Sequence, residues 1–395
     1  MKTLNAPFLR LTALACALAL SACGGGGDGG DGGTTSPPVQ ITAIKSVGDS
    51  LSDSGTFAGL PGQGRTFTVQ GSSDEPYVIW VERIAKAYQL AALCPVYRPN
   101  AAATAFGANS TQGCTNYAVG GARINNPAGS GGSSVPLSIL RQLQDAAKGG
   151  WGQGDLLVID GGGNDAADLV TAYLGATADA GAAYQALLLT QLPPATVQNV
   201  LASPGGPESA GGLYMQALAK TFAAAIRAQA LDKGAQYVVV ANMPVITYTP
   251  RFQYVLDQIA AAGGSAARAQ AEALFKGWVD VFNQELAGQF AQEPRVRVID
   301  IAALFSDLVQ HPSSHGLSNV TLPVCGAAWV TDVPQRSFAD CTASALSATP
   351  PPPGGPTGSD WWQHYMFADG FHPTPYGHSL MADAAMQTLD AARWH

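Results

Sequence analysis

Two short stretches at opposite ends of the chain carry residue types that do chemistry together. The first is Ser46-Val47-Gly48-Asp49-Ser50-Leu51-Ser52-Asp53-Ser54-Gly55, and the second is Asp369-Gly370-Phe371-His372-Pro373. Ser50 follows an apolar run, Ile41 to Val47, that reads as a buried strand, and Gly48 marks a sharp turn after it. In an open α/β sheet, ligands bind at the carboxyl edge of the strands. A serine held there by a stiff strand suits a nucleophile. A serine hydroxyl needs a base, and an imidazole needs an orienting carboxylate. Asp369 stands three residues before His372, so one turn can present both side chains, and Pro373 and Pro375 fix that turn. The other histidines, His311, His315, His364, His378 and His395, lack this context and read as structural.

Two further stretches lie between these. They are Asn116-Tyr117-Ala118-Val119-Gly120-Gly121-Ala122 and Gly162-Gly163-Asn164-Asp165. Taken in order, the four blocks resemble those of the GDSL (SGNH) family of serine ester hydrolases, from about Ile41 to the C-terminus. The resemblance implies a triad of Ser50, His372 and Asp369. It also implies an oxyanion hole made by the Ser50 N–H, a glycine N–H of the second block and the Asn164 amide. Counting from Asn116 gives Gly121 for the glycine, with Gly120 as the neighbouring alternative. The implied fold is a flavodoxin-like three-layer α/β/α sandwich. The implied reaction is hydrolysis of carboxylic esters through an acyl-enzyme, with no metal and no cofactor. A lipid acyltransferase or phospholipase would use the same triad. A surface-binding lipoprotein with an inactive hydrolase fold is the alternative of another class. No Gly-x-Ser-x-Gly elbow, Walker loop or Gly-x-Gly-x-x-Gly after a strand is evident, which disfavours the α/β-hydrolase fold and nucleotide binding.

The elements that must position these blocks follow from the apolar pattern. Strands are expected at Ile41–Val47, Thr115–Val119, Asp155–Asp160, Tyr237–Ala241 and Val296–Ile301. Helices are expected at Tyr77–Leu90, Pro136–Lys148, Leu213–Lys233, Ala266–Ala291 and Tyr376–Arg393. Five strands alternating with helices imply a parallel sheet covered on both faces. Insertions fall near 175–212 and 311–358. The second carries prolines and two cysteines; it either shapes the cleft before Asp369 or elaborates the surface. Trp361, Trp362, Tyr365, Phe367 and Phe371 crowd the stretch before His372, as an apolar substrate pocket or as core packing.

The composition points outside the cytosol. The chain has 395 residues, 47% hydrophobic, only 12% charged, with 46 glycines. Its formal net charge is −8, and −10 once Lys2 and Arg10 of residues 1–22 are set aside. Such a chain repels phosphates, and no basic stripe points to nucleic acid. Residues 1–22 have a positive start and an apolar core, Leu11–Leu20, too short to span a bilayer, as in a secretory signal. Leu20-Ser21-Ala22-Cys23 resembles a bacterial lipobox, which implies a lipid anchor on Cys23 and a membrane association. Residues 24–38 are Gly, Asp, Thr, Ser and Pro and read as a tether, leaving 41–395 as the hydrolase domain. An exported chain, outer-membrane, periplasmic or secreted, favours disulfides. Of six cysteines, Cys16 and Cys23 fall in the leader, leaving Cys94, Cys114, Cys325 and Cys341. Three pairings are possible, and the short-range one, Cys94–Cys114 with Cys325–Cys341, is expected. No Cys-x-x-Cys pair supports zinc. Cys23→Ser is expected to abolish acyl labelling and membrane retention in the native host. Unchanged fractionation with membranes would refute the anchor.

Overall fold

A computed structural model describes residues 39–394 except 73 and 75. The signal-like segment, Cys23 and the tether at 24–38, together with His395, lie outside the described residues. The described chain belongs to one compact unit, Pro38–His395. Its strands are β1 (Ala43–Val47), β2 (Tyr97–Pro99), β3 (Phe106–Ala108), β4 (Asp155–Ile159), β5 (Tyr237–Ala241), β6 (Val296–Ile299), β7 (Asn319–Pro323) and β8 (Tyr365–Phe367). Its α-helices are α1 (Trp80–Ala87), α2 (Ile139–Lys148), α3 (Gly163–Gly175), α4 (Ala182–Leu188), α5 (Pro194–Leu201), α6 (Gly206–Gln229), α7 (Pro250–Phe290), α8 (Ile301–Gln310), α9 (Ala343–Ser347) and α10 (Pro375–Ala391).

The central sheet is parallel, in the order β1-β4-β5-β6. Its strands are largely apolar on both faces because both are covered. Leu157, Ile159, Val238 and Val240 face a core shared with α2, α3, α6 and α7. Leu156, Val158, Val239 and Ala241 face the opposite core, shared with α1, α8 and α10. The alternation along each strand therefore builds the three layers expected. A smaller cluster gathers Val69, Val324, Leu346, Trp361, Trp362 and Tyr365.

The sheet has four regular strands where five were expected. The segment 115–119 does run beside β1: Ser46 N donates to Thr115 O (3.1 Å), Tyr117 N to Ser46 O (2.7 Å) and Val119 N to Gly48 O (3.2 Å). It fails to become a regular strand because its groups have other partners. Asn116 Oδ1 takes the Ala118 N–H (2.9 Å), and Asn116 Nδ2 reaches Ser52 O (2.7 Å). The Asn116 N–H turns outward to Cys94 O (3.2 Å). Other differences are matters of extent. Helix α7 starts sixteen residues before the expected Ala266 and is broken at Gly264, whose φ of +81° leaves the helical region. The 175–212 insertion folds as α4 and α5.

Cys94 pairs with Cys114 and Cys325 with Cys341, with Cα–Cα distances of 4.9 and 5.5 Å. The first encloses the β2-β3 ribbon, and the second closes the loop between β7 and α9. No helix among the described residues is long and apolar enough to cross a membrane. Closing a loop of 16 residues lowers the entropy of the unfolded chain by about 3 kcal/mol in the chain-entropy model. A Cys325→Ser/Cys341→Ser variant should lose about that much stability in urea unfolding. A loss under about 1 kcal/mol would mean the loop's other contacts fix it even in the unfolded chain.

Candidate active site

All four sequence blocks meet at the carboxyl edge of the sheet. The in-register pairing of Val47 with Ile159 brings the chain out of β1 and β4 side by side. Ser50 sits in the turn after β1 and is 7% exposed. The turn is held by Asp49, whose carboxylate accepts the Leu51 N–H (3.0 Å) and whose carbonyl accepts the Ser52 N–H (3.2 Å). Asp53 ties this block to the next: Oδ1 accepts from Gly55 N (2.9 Å) and Thr56 N (2.7 Å), and Oδ2 from Gly120 N (2.8 Å). Asp165, in the third block, holds the chain just after the second by accepting from Ile124 N (3.0 Å) and Asn125 N (2.7 Å). Burial raises the Asp165 carboxyl to about 6, despite these donors.

His372 is carried on a tight turn between β8 and α10. Ala368 N donates to His372 O (2.7 Å), and Thr374 N to Met366 O (2.9 Å). Thr374 then caps α10 by accepting from Gly377 N (3.1 Å). Asp369 Oδ1 accepts from Phe371 N (2.8 Å) and His372 N (2.7 Å). The two Asp369 oxygens lie 2.9 and 3.0 Å from His372 Nδ1, while His372 Nε2 lies 2.7 Å from Ser50 Oγ. The geometry fits the tautomer with Nδ1 protonated and Nε2 accepting from the serine hydroxyl. Burial pushes the imidazole down, but the Asp369 carboxylate outweighs it and holds His372 above its ordinary value. Burial pushes Asp369 up in turn, but His372 and the backbone donors hold it below the usual carboxylate range.

The imidazole is also clamped. Phe67 stacks on it (centroids 5.3 Å apart, 29° between planes), and Phe338 meets it edge-on at 5.5 Å. Phe67 fits because residue 120 is glycine: a Cβ there would stand 2.2 Å from Phe67 Cζ. Gly121 has a different role, with φ +79° and open space where a Cβ would be. The Gly120 N–H belongs to Asp53, whereas the Gly121 N–H has no partner among the described residues. Asn164 lies in the first turn of α3, after Gly162 at φ +100°, and its Nδ2 donates to Ala122 O (3.0 Å). Asn164, Gly121 and Ser50 line one cleft of about 640 Å³ together with His372 and Asp369.

Sequence reasoning missed several parts of this site. Phe67 and Phe338 lie in stretches with no motif. The Asp49–Asp160 pair, buried under Ser50, was read only as motif and strand end; burial and the neighbouring Asp49 raise Asp160 well above the carboxylate range. The Ser52 hydroxyl donates to Asp160 Oδ1 and accepts from Trp80 Nε1. The 311–358 insertion reaches the cleft through Gly326, Trp329, Gln335 and Arg336. Of the aromatic cluster, Trp361, Trp362, Tyr365 and Phe367 are core, and Phe371 alone lines the cleft. His311 and His315 share Asp307 on the surface, His364 packs on Tyr376, and His378 is buried in α10 with its ring pushed down to about 3 by burial.

No curated protein sequence matches the chain. A solved structure, the lipase Lip_vut3 from a goat rumen metagenome, is similar at 12% identity and a TM-score of 0.35, covering 88% of this chain and 97% of that one. The GDSL-like Lipase/Acylhydrolase profile matches residues 44–385, spanning all four blocks and most of the chain. The chain thus belongs to the GDSL-like lipase/acylhydrolase family, whose members are hydrolases acting on ester bonds.

Proposed function

We propose that the protein is a carboxylesterase that works through an acyl-enzyme on Ser50. The observation that carries this reading is the unbroken hydrogen-bond line from Asp369 through His372 to Ser50, opening onto the cleft. His372 Nε2 takes the Ser50 proton as Oγ attacks the ester carbonyl. The imidazolium that forms is stabilised by Asp369 and then protonates the departing alcohol. Water deacylates the serine by the same route. The carbonyl oxygen gains charge in the tetrahedral state, where the Ser50 and Gly121 N–H groups and the Asn164 amide would meet it. The position of Asn164 in the first turn of α3 adds the favourable end of a helix dipole.

A narrow apolar slot of about 30 Å³ beside Ser50, bounded by Ile246, Ile301, Phe305 and Phe371, supports a small acyl group. The wide cleft bears Arg123, Asp168, Gln335 and Arg336, a polar wall better suited to a soluble ester than to packed lipid. The lipid anchor on Cys23 belongs to the same reading and is supported by residues 1–23 of the sequence. A fluorophosphonate probe should label wild type and fail to label Ser50→Ala. Absence of labelling on folded wild type would sink the reading.

Two kinetic predictions follow from the geometry. Only neutral His372 accepts the serine proton, so kcat/KM should fall as pH drops. Since the imidazole is held above its ordinary value of 6.5, the midpoint of that fall should lie above 6.5. Asp369→Asn should move it downward and cost most of the activity, and a midpoint unmoved by that change would mean Asp369 does not set it. Asn164→Ala should lower kcat by about 10²–10³-fold, or about 3–4 kcal/mol, with little change in KM. A folded Asn164→Ala enzyme that keeps kcat within about threefold would remove Asn164 from the oxyanion hole.

A further inference from the structure

The cleft of this acidic protein carries positive charge that the triad does not use. Three arginines line it, Arg123, Arg251 and Arg336. Arg123 is satisfied: Nε and Nη2 donate to the two oxygens of Asp168 (2.5 and 3.0 Å), and Nη1 donates to Gly121 O (2.7 Å). The other two have no carboxylate partner among the described residues. Asp369, the remaining cleft carboxylate, belongs to His372.

Both arginines are tied to the cleft wall by their backbone, Arg251 with an exposed side chain and Arg336 with a half-buried one. Arg251 is the second residue of α7, and its N–H donates to Gly370 O (2.9 Å), two residues from His372. Its guanidinium carbon lies 5.9 Å from the Phe371 ring centre, and its Cβ would be 3.3 Å from a Cβ on Gly370. Arg251 is thus built onto the turn that carries the base. Arg336 sits in the loop closed by Cys325–Cys341, with its N–H on Cys325 O (2.8 Å). Its Nη1 donates to Pro334 O (3.1 Å) and its Nη2 to Thr349 Oγ1 (2.7 Å), which orients the fork and leaves further N–H groups free. Arginine is the side chain suited to planar anions, which it binds through paired N–H donors. A cation without a carboxylate partner in the same cleft as Ser50 gains nothing for a neutral ester.

We propose that the substrate is an ester that itself bears an anionic oxygen group, a carboxylate or a phosphate, bound by Arg251 and Arg336. This deepens the carboxylesterase reading and rests on it. The acyl group occupies the apolar slot, and the anion lies on the alcohol side, in the wide cleft. An unattached anion there would act as a competitive inhibitor.

The test measures kcat/KM on matched pairs, each rate divided by the same ester's uncatalysed hydrolysis rate. One pair is 4-acetoxybenzoate and 4-acetoxybenzamide; the other is 1-acetylglycerol 3-phosphate and 1-acetylglycerol. Wild type should prefer the charged member by about 10–100-fold, as expected for charge-assisted hydrogen bonds, and added salt should shrink the preference. The pair with the larger ratio identifies the anion as carboxylate or phosphate. In Arg251→Gln/Arg336→Gln that ratio should fall close to one. Equal or reversed preference in wild type, or an intact preference in a folded double variant, overturns the proposal. Should the variant fail to fold, inhibition of wild-type 4-acetoxybenzamide hydrolysis decides: benzoate or inorganic phosphate must inhibit better than benzamide. If no ester is turned over and no fluorophosphonate label appears, the hydrolase reading itself fails and takes this one with it. Turnover of neutral esters without charge preference defeats this proposal alone.

Discussion

The site depends on how closely the chain leaving β1 approaches the chain leaving β4. A Cβ on Gly48 would stand 1.9 Å from Asp160 Oδ1, so residue 48 has no room for a side chain. The Gly48 N–H is taken by Gln142 Oε1 (2.8 Å), which fixes the turn from the α2 side. Asp160 in turn receives the Ser52 hydroxyl. The Ser50 turn thus stands on buried hydrogen bonds and on a glycine contact. Pre-organisation of this kind is what the oxyanion hole proposed above would need, because its donors must be in place before the charge develops.

A second layer of order comes from three aspartates other than Asp369. Asp53 joins the first and second blocks, Asp165 joins the third to the chain just after the second, and Asp49 sets the turn around Ser50. Burial raises all three carboxyls. Each is spent on backbone N–H groups of loops that no regular element would satisfy, and an unpaired buried donor is costly. The motif residues beside the chemical ones are therefore structural fasteners, and their spacing reflects which loops they join.

The long insertion before His372 is joined to the site in the same manner. The disulfide loop supplies Trp329, Gln335 and Arg336 to the cleft, and Trp329 stacks on Tyr254 of α7 at 4.9 Å. Phe338, from the same loop, meets the imidazole edge-on. The loop thus does two things at once: it walls the cleft and helps fix the ring of His372. Variation in such a loop can change what enters the cleft while the sheet edge and its chemistry stay the same.

Much of this was legible in the chain itself. The apolar runs of β1, β4, β5 and β6 alternate with helical patterns, and that dictates a covered parallel sheet because both faces must be buried. Ser50 and the Asp369/His372 pair stood out because a glycine turn after a strand and a proline-fixed turn are local features, whereas Asn164 was reached only through the resemblance to the family's ordered blocks. The segment 115–119 was read as a strand because its pattern is apolar, whereas Asn116 diverts its hydrogen bonds, and no pattern of polarity reveals that. Only the tertiary structure separated Gly120 from Gly121, since the first gives its N–H to Asp53, 67 residues away, and yields its space to Phe67. It also decided which aromatic residues are core and which arginines reach the cleft. Those outcomes depend on contacts between segments far apart in sequence, such as Ser50 with His372 across 322 positions, and local propensity carries no information about which distant segment will arrive.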